Sequence, residues 1–175
     1  MRFRIAVPFL AALVPVIAAA QSASPVADAF RNEVKSRGKN LMAAAEVMPA
    51  DKYGFKPTPA QMSFGDVVLH LAGGNDAFCS AIGGVKAPTR TKVTAADGKA
   101  ALTARLKETF DFCNEALAKL DDSKLGEPMN MFGMSSTRAG FMIIAADDWG
   151  DHYSQSAIYL RLNGLLPPTA KPPTK

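Results

Sequence analysis

Long segments with apolar residues at helical spacing alternate along this chain with shorter segments rich in proline, glycine and polar residues. Within the long segments apolar residues recur every three or four positions, which is the spacing of one helix face. The pattern predicts four helices, over residues 26–48, 63–82, 97–120 and 137–162. Each helix would be about 30 Å long. No strand pattern competes with them, so the sequence predicts an all-α protein built as a four-helix bundle.

Proline, glycine and capping residues mark the ends of the predicted helices. Pro49 stops the first helix because its ring cannot continue one. Ser63 and Asp66 have the spacing of a capping box, in which a hydroxyl and an acid satisfy free amides in the first turn. The adjacent glycines Gly83 and Gly84 are predicted to end the second helix. Residues 121–136, rich in glycine and methionine, are predicted to form a loop.

Two adjacent glycines, Gly73 and Gly74, lie inside the second predicted helix. Each glycine costs a helix interior about 1 kcal/mol relative to alanine. Their presence indicates either the close approach of another backbone or of a bound group, or a plain kink. The sequence does not decide between these interpretations.

The first twenty residues have the form of a secretory signal peptide. Arg2 and Arg4 provide a basic start, residues 5–17 are apolar, and residues 18–20 are alanines that form a small-residue cleavage site. An uncleaved membrane anchor is the alternative, but the apolar stretch is shorter than the roughly 20 residues of a membrane span. We therefore expect a secreted or periplasmic protein without a stable membrane span after cleavage.

The rest of the chain has the length of a single domain. Residues 21–168 are predicted to form the bundle, followed by a flexible tail at 169–175. Loss of two arginines with the signal peptide leaves 18 basic and 16 acidic residues, a net charge of +2. Nucleic-acid binding is not expected, because it usually requires a basic patch or stripe. The expected partner is a small molecule of unknown identity, and a homodimer stays open.

The two cysteines, Cys79 and Cys113, carry information about topology. Cys79 lies 16 residues after Ser63, and Cys113 lies 16 residues after Asp97, so both have the same depth in their helices. In a tight antiparallel hairpin they would be offset by roughly 18 Å, which no disulfide spans. A bridge therefore predicts parallel second and third helices joined by an overhand connection. Export favours the bridge, and two unpaired buried thiols are the alternative.

The only two histidines of the chain are His70 and His152, and Asp148 precedes His152 by four residues. This spacing places the carboxylate and the imidazole on one helix face, one turn apart. With His70 from another helix they would form a two-histidine, one-carboxylate set that suits zinc, nickel or iron(II) and leaves positions open. The alternative is an exposed ion pair on the helix surface together with a core histidine.

Two segments carry a resemblance to a known family. Residues 148–168, DWGDHYSQSAIYLRLNGLLPP, resemble the closing helix of DinB-like proteins, in which two histidines are followed by a glutamine, an arginine and a glycine before prolines. Residues 57–79, PTPAQMSFGDVVLHLAGGNDAFC, are similar to the second helix of that family, which carries its first metal-binding histidine. The resemblance implies a four-helix bundle of up-down-down-up arrangement, with helices two and three parallel.

The resemblance also implies a ligand set. His70 matches the first metal ligand of the family and His152 the last, while Asp148 occupies a middle position that is usually histidine. Gln155 and Tyr159 lie on the same helix face beyond His152, where they would be pocket groups or would support the ligands.

Metal-dependent transferases and isomerases that use a low-molecular-weight thiol occur among DinB-like proteins. The resemblance therefore implies a metalloenzyme that contains a divalent ion and acts on a small thiol or a related substrate. Two alternatives stay open: a non-catalytic metal or small-ligand binding protein of the cell envelope, and an inert bundle whose surface mediates association.

Overall fold

The computed structural model describes residues 22–170 and contains four long helices and one β-hairpin. Their bounds, in chain order α1 to α4, are Pro25–Val47, Phe64–Gly83, Gly98–Ala116 and Arg138–Leu162, and the strands β1 and β2 are Pro128–Met131 and Met134–Thr137. The predicted fold class, an all-α four-helix bundle, is confirmed. The predicted signal peptide and the last five residues of the predicted tail lie outside the described residues.

The start of α2 shows why the helix begins where the sequence predicts. The Asp66 amide donates to the Ser63 hydroxyl, and the Ser63 amide donates to the Asp66 carboxylate, both at 3.1 Å. The hydrogen bonds from Ser63 lower the pKa of Asp66, because they stabilise its charged form. At the other end Gly84 has a φ of 68° and forms a left-handed cap, so the helix ends at the Gly83–Gly84 pair, as the sequence predicts.

The apolar faces of the four helices meet in one core, whose largest fully buried side chains include Trp149, Tyr159 and Phe64. Trp149 stacks on Phe30 of α1 with ring centroids 5.8 Å apart. Ile158 of α4, although apolar, is 54% exposed. The buried face passes through the polar residues His152 and Ser156, which a purely apolar pattern does not select.

Contacts between α2 and α3 run in the same direction along both helices. Asn75 donates to Thr109 at 3.1 Å, and one turn further Cys79 is bonded to Cys113 with Cα atoms 5.0 Å apart. This order of contacts is that of parallel helices. The predicted disulfide is confirmed, and it joins two cysteines at equal depth in their helices.

The connection between α2 and α3 is tied to both helices. Arg90 makes a two-point contact with the Asp76 carboxylate of α2, with one Nη2–Oδ1 distance of 2.8 Å. Arg105 of α3 donates to the Thr91 carbonyl at 2.8 Å. Such paired arginine–carboxylate contacts are more rigid than single ion pairs, so the connection follows a defined path back along the bundle.

The predicted loop at 121–136 contains a β-hairpin that the sequence did not predict. Its antiparallel strands pair Pro128 with Thr137 and Met131 with Met134, and a two-residue turn joins them. Both turn residues, Phe132 and Gly133, have positive φ, at 52° and 76°. Four-residue strands poor in β-branched residues carry almost no pattern signal, which is why the prediction was wrong there.

The first turn of α1 is capped from a distant part of the chain. Asp122 accepts from the amides of Val26 and Ala27 at 3.1 Å and 2.8 Å. These are free donors of a helix N-terminus, and a carboxylate is favoured there.

None of the helices within residues 22–170 has the length and apolar character needed to span a bilayer.

Candidate metal centre

The packing of α2 against α4 brings the three predicted ligands together. His70 projects from α2 towards Asp148 and His152 of α4, and one ligand atom from each residue lies within 4.8 Å of the others. The imidazole rings of the two histidines are stacked, with centroids 4.9 Å apart. An ion about 2.1 Å from each ligand would require ligand atoms within about 4 Å of one another. Side-chain movements of less than about 1 Å would meet that requirement.

The orientation of His152 is set within its own helix. Its Nδ1 atom lies 2.7 Å from the backbone carbonyl oxygen of Asp148. A carbonyl oxygen only accepts hydrogen bonds, so in the neutral imidazole Nδ1 carries the proton. The lone pair therefore resides on Nε2, the arrangement found in metal-binding histidines whose other nitrogen donates to a carbonyl.

The solvent exposure of the three predicted ligands is lower on α4 than on α2. His152 is 8% exposed, Asp148 is half-buried, and His70 is exposed. Burial raises the pKa of Asp148, and the positive potential of His152 and His70 partly opposes that shift. A half-buried carboxylate with a raised pKa is poorly solvated, and a bound cation would stabilise its charged form. The donor set therefore fits a divalent metal ion that is accessible to solvent from one side.

A buried polar network fixes α4 against α2 beside the ligands. The Trp149 indole donates to the Asn75 side-chain oxygen at 2.7 Å, and the Asn75 amide donates to Thr109 at 3.1 Å. All three side chains are fully buried. Because Trp149 follows Asp148 directly, this network sets the height of Asp148 relative to His70. The sequence interpretation missed Asn75, although a polar residue four positions from both Leu71 and Cys79 on an apolar face was a usable signal.

Gly73 and Gly74 border open space beside the centre. A Cβ atom at Gly73 would have no neighbouring atom within 4 Å, and at Gly74 the nearest atom would be Asp148 Oδ2 at 3.8 Å. Neither glycine is therefore required by the close approach of another backbone. Both line a cavity of about 540 Å³ between α2, α4 and the β-hairpin, which we call the hairpin cavity. Its walls include His70, Gly73, Gly74, Phe78, Phe132 and Asp148.

Sequence comparison places this architecture in a family. A family model described as DinB superfamily matches residues 34–156, which is more than half of the chain. The chain belongs to the DinB superfamily. The resemblance of its second and fourth helices to DinB-like proteins is thereby confirmed. None of the curated proteins compared with the chain matches it.

Solved structures show the same DinB-like fold at low sequence identity. A DinB-like protein from Bacillus subtilis is 18% identical with a TM-score of 0.66, covering 83% of this chain and 96% of its own. A DinB-like protein from Bacillus cereus is 17% identical with a TM-score of 0.69, covering 82% and 97%. A conserved protein from Enterococcus faecalis is 16% identical with a TM-score of 0.62, covering 78% and 96%. These similarities support the helical-bundle fold of the DinB chain.

Tyr159, one of the two further residues predicted near the ligands, also contacts another part of this DinB bundle. The Tyr159 hydroxyl donates to the Met62 carbonyl at 2.9 Å, which fastens the segment before α2 to α4. Burial raises the pKa of Tyr159, and a hydrogen bond with Gln155 opposes the shift. The contacts of Tyr159 are therefore with the chain leading into α2, and the predicted supporting role of Gln155 at the metal centre stays a prediction.

Proposed function

We propose that this DinB protein binds one divalent metal ion, zinc, nickel or iron(II), through His70, Asp148 and His152, and that the ion forms the centre of an enzyme active site. The observation that carries the proposal is the convergence of the three ligand atoms within 4.8 Å, from two helices far apart in the sequence. The DinB family is metal-binding, which supports it.

The chemistry we propose is transfer involving a small thiol or a related nucleophile. When bound, the ion would lower the pKa of a coordinated thiol and hold its thiolate. The ligands supply three donors and thereby leave positions for such a group. Asp148 contributes a single negative charge, so the centre keeps a net charge of about +1 with a divalent ion. That charge favours an incoming anionic donor.

Metal loading tests the proposal directly. We expect the purified protein, incubated with zinc, nickel or iron(II) and then desalted, to retain one ion per chain of at least one of these metals by elemental mass spectrometry. The triple variant His70→Ala, Asp148→Ala, His152→Ala is the control and should retain none. Equal metal content in both proteins, or no calorimetric heat above the control for any of the three metals, would end the metalloprotein proposal.

The disulfide favours a second candidate function, a non-catalytic metal or small-ligand binding protein of the cell envelope. A Cys79–Cys113 bridge is typical of oxidising compartments, where a cytosolic thiol cosubstrate is less available. The metal-loaded protein distinguishes the two functions. Turnover of 2-mercaptoethanol with 1-chloro-2,4-dinitrobenzene above the triple variant supports the enzyme, and stoichiometric metal without turnover supports the binding protein.

Export of the chain is also a proposal, with cleavage after Ala20. It is supported by the disulfide and by the basic, apolar and alanine segments of residues 1–20. In a Gram-negative host we expect a periplasmic product whose intact mass corresponds to a chain that starts at Gln21. Ala20→Arg is the control, because signal cleavage requires a small residue at that position. A cytoplasmic product with the full-length mass in the wild type would contradict export.

A further inference from the structure

We propose that the hairpin cavity binds the apolar part of the substrate, so that the substrate is a small molecule with an aromatic or branched aliphatic body and one anionic metal-binding group. This inference rests on the proposed metal centre and specifies what it acts on. It makes Phe132, at the tip of the β-hairpin, a specificity-determining residue.

The backbone at Phe132 is the first observation. Its φ of 52° lies in the left-handed region, which bulky residues rarely adopt. Turns with two positive φ values are dominated by asparagine, aspartate and glycine. Phe132 is also 60% exposed, so burial in the core does not compensate for the strain. Strained backbone of this kind clusters at active sites and ligand-binding positions.

The placement of the ring is the second observation. Phe132 meets Phe78 of α2 edge to face, with centroids 5.2 Å apart and an interplanar angle of 72°. Both rings line the hairpin cavity together with His70 and Asp148. The cavity volume of about 540 Å³ is in the range of small-molecule sites. A molecule in this cavity would therefore contact aromatic rings and two of the proposed ligands at once.

The space for that molecule comes from α2 itself. Gly73 and Gly74 expose the helix backbone to the cavity, and a side chain at Gly73 would project into open space. Glycine in a helix interior is less favourable than alanine, and a ligand that occupies the space left by the missing side chains would offset that cost. A flat aromatic or branched aliphatic group fits a space bounded by helix backbone and two rings.

The charges of the residues that line the hairpin cavity indicate which metal-binding group the substrate has. Among the described residues that line the hairpin cavity there is no lysine or arginine, and Asp148 is acidic. A polyanion such as a phosphate ester would meet no protein cation there. The net charge of about +1 at the loaded centre balances one anionic group. The apolar body and the single anionic head therefore follow from different parts of the same cavity.

Two hydroxamates test this inference, because they share a metal-binding head and differ in their body. With the zinc-loaded protein, calorimetry should show benzohydroxamate binding at least about tenfold more tightly than acetohydroxamate, as burial of a phenyl group predicts. In Phe132→Asn this ratio should fall at least about fivefold, while the melting temperature stays equal or rises, since asparagine tolerates positive φ. Ile143→Asn, which removes another exposed apolar side chain outside the hairpin cavity, should keep the wild-type ratio.

A second variant supports the interpretation independently of the hairpin. Gly73→Leu should fill the cavity and weaken benzohydroxamate binding without lowering helix stability. A wild-type ratio near one, or an unchanged ratio in Phe132→Asn, overturns the cavity proposal while the metal centre stands. If the protein retains nickel or iron(II) instead of zinc, the same hydroxamates are titrated into that form. Failure of zinc, nickel and iron(II) alike to bind overturns the proposed function, and the cavity proposal with it.

Discussion

Replacement of His152 by alanine is expected to weaken zinc binding at least about a hundredfold, because loss of a direct ligand exceeds the effect of losing a ligand's hydrogen-bond partner. His152 is the most buried of the three ligands, and its Nδ1 hydrogen bond to the Asp148 carbonyl orients Nε2. Zinc at a hundredfold excess over Kd should stabilise the wild type by about 3 kcal/mol. That corresponds to a rise in melting temperature of roughly 5–10 °C. The rise should be absent in His152→Ala.

Asp148→Asn separates metal binding from stability. Burial raises the pKa of Asp148 above its unfolded value, so the ionised carboxylate destabilises the metal-free fold at neutral pH. The metal-free variant should therefore melt at the same temperature as the wild type or higher, although its zinc affinity falls. Any stability gain should disappear as the pH falls to about 4 and below, where the wild-type carboxyl also becomes neutral.

An exposed acid on the same helix provides the matched control. Asp151→Asn removes an equal charge about one helical turn from Asp148. The zinc affinity of this variant should stay within about twofold of the wild type, since exposed charges are screened. If Asp148→Asn behaved like Asp151→Asn in zinc titrations, Asp148 would not be a ligand. If it unfolded the metal-free protein instead, Asp148 would have a structural role.

Removal of the disulfide should lower the free energy of unfolding by about 4 kcal/mol. Cys79 and Cys113 close a loop with a sequence separation of 34, and the loop-entropy relation gives this magnitude. The bridge also joins α2 to α3 one turn from Asn75 and Thr109, so its loss would loosen the network beside the metal centre. The variant Cys79→Ala, Cys113→Ala preserves apolar contacts at two fully buried positions.

Urea denaturation of the wild type and of this double variant, each with and without reductant, measures the effect. Reductant should reduce the stability of the wild type to about that of the variant and leave the variant unchanged. A difference under about 1 kcal/mol between the oxidised wild type and the variant would contradict the predicted contribution.

The helices and the ligand pair of α4 were predictable because their signals are local. The capping box of Ser63 and Asp66 and the left-handed Gly84 lie within the segments that they delimit. The i,i+4 spacing of Asp148 and His152 brings both side chains to one face in any helix. The hairpin escaped prediction because its strands have four residues each, and its turn begins with Phe132, a residue that such turns rarely contain.

Sequence alone determined four amphipathic helices, the equal depth of Cys79 and Cys113, and the pairing of Asp148 with His152 on one face. These properties depend on positions within single helices, and helical periodicity and the signals at helix ends encode them directly. The meeting of His70 with that pair, the cap that Asp122 places on α1, and the hairpin cavity were decided only by tertiary structure. Each of these features joins residues that are tens of positions apart in the chain. The distance in space between such residues depends on how whole helices and connections pack, and no local sequence pattern contains that information.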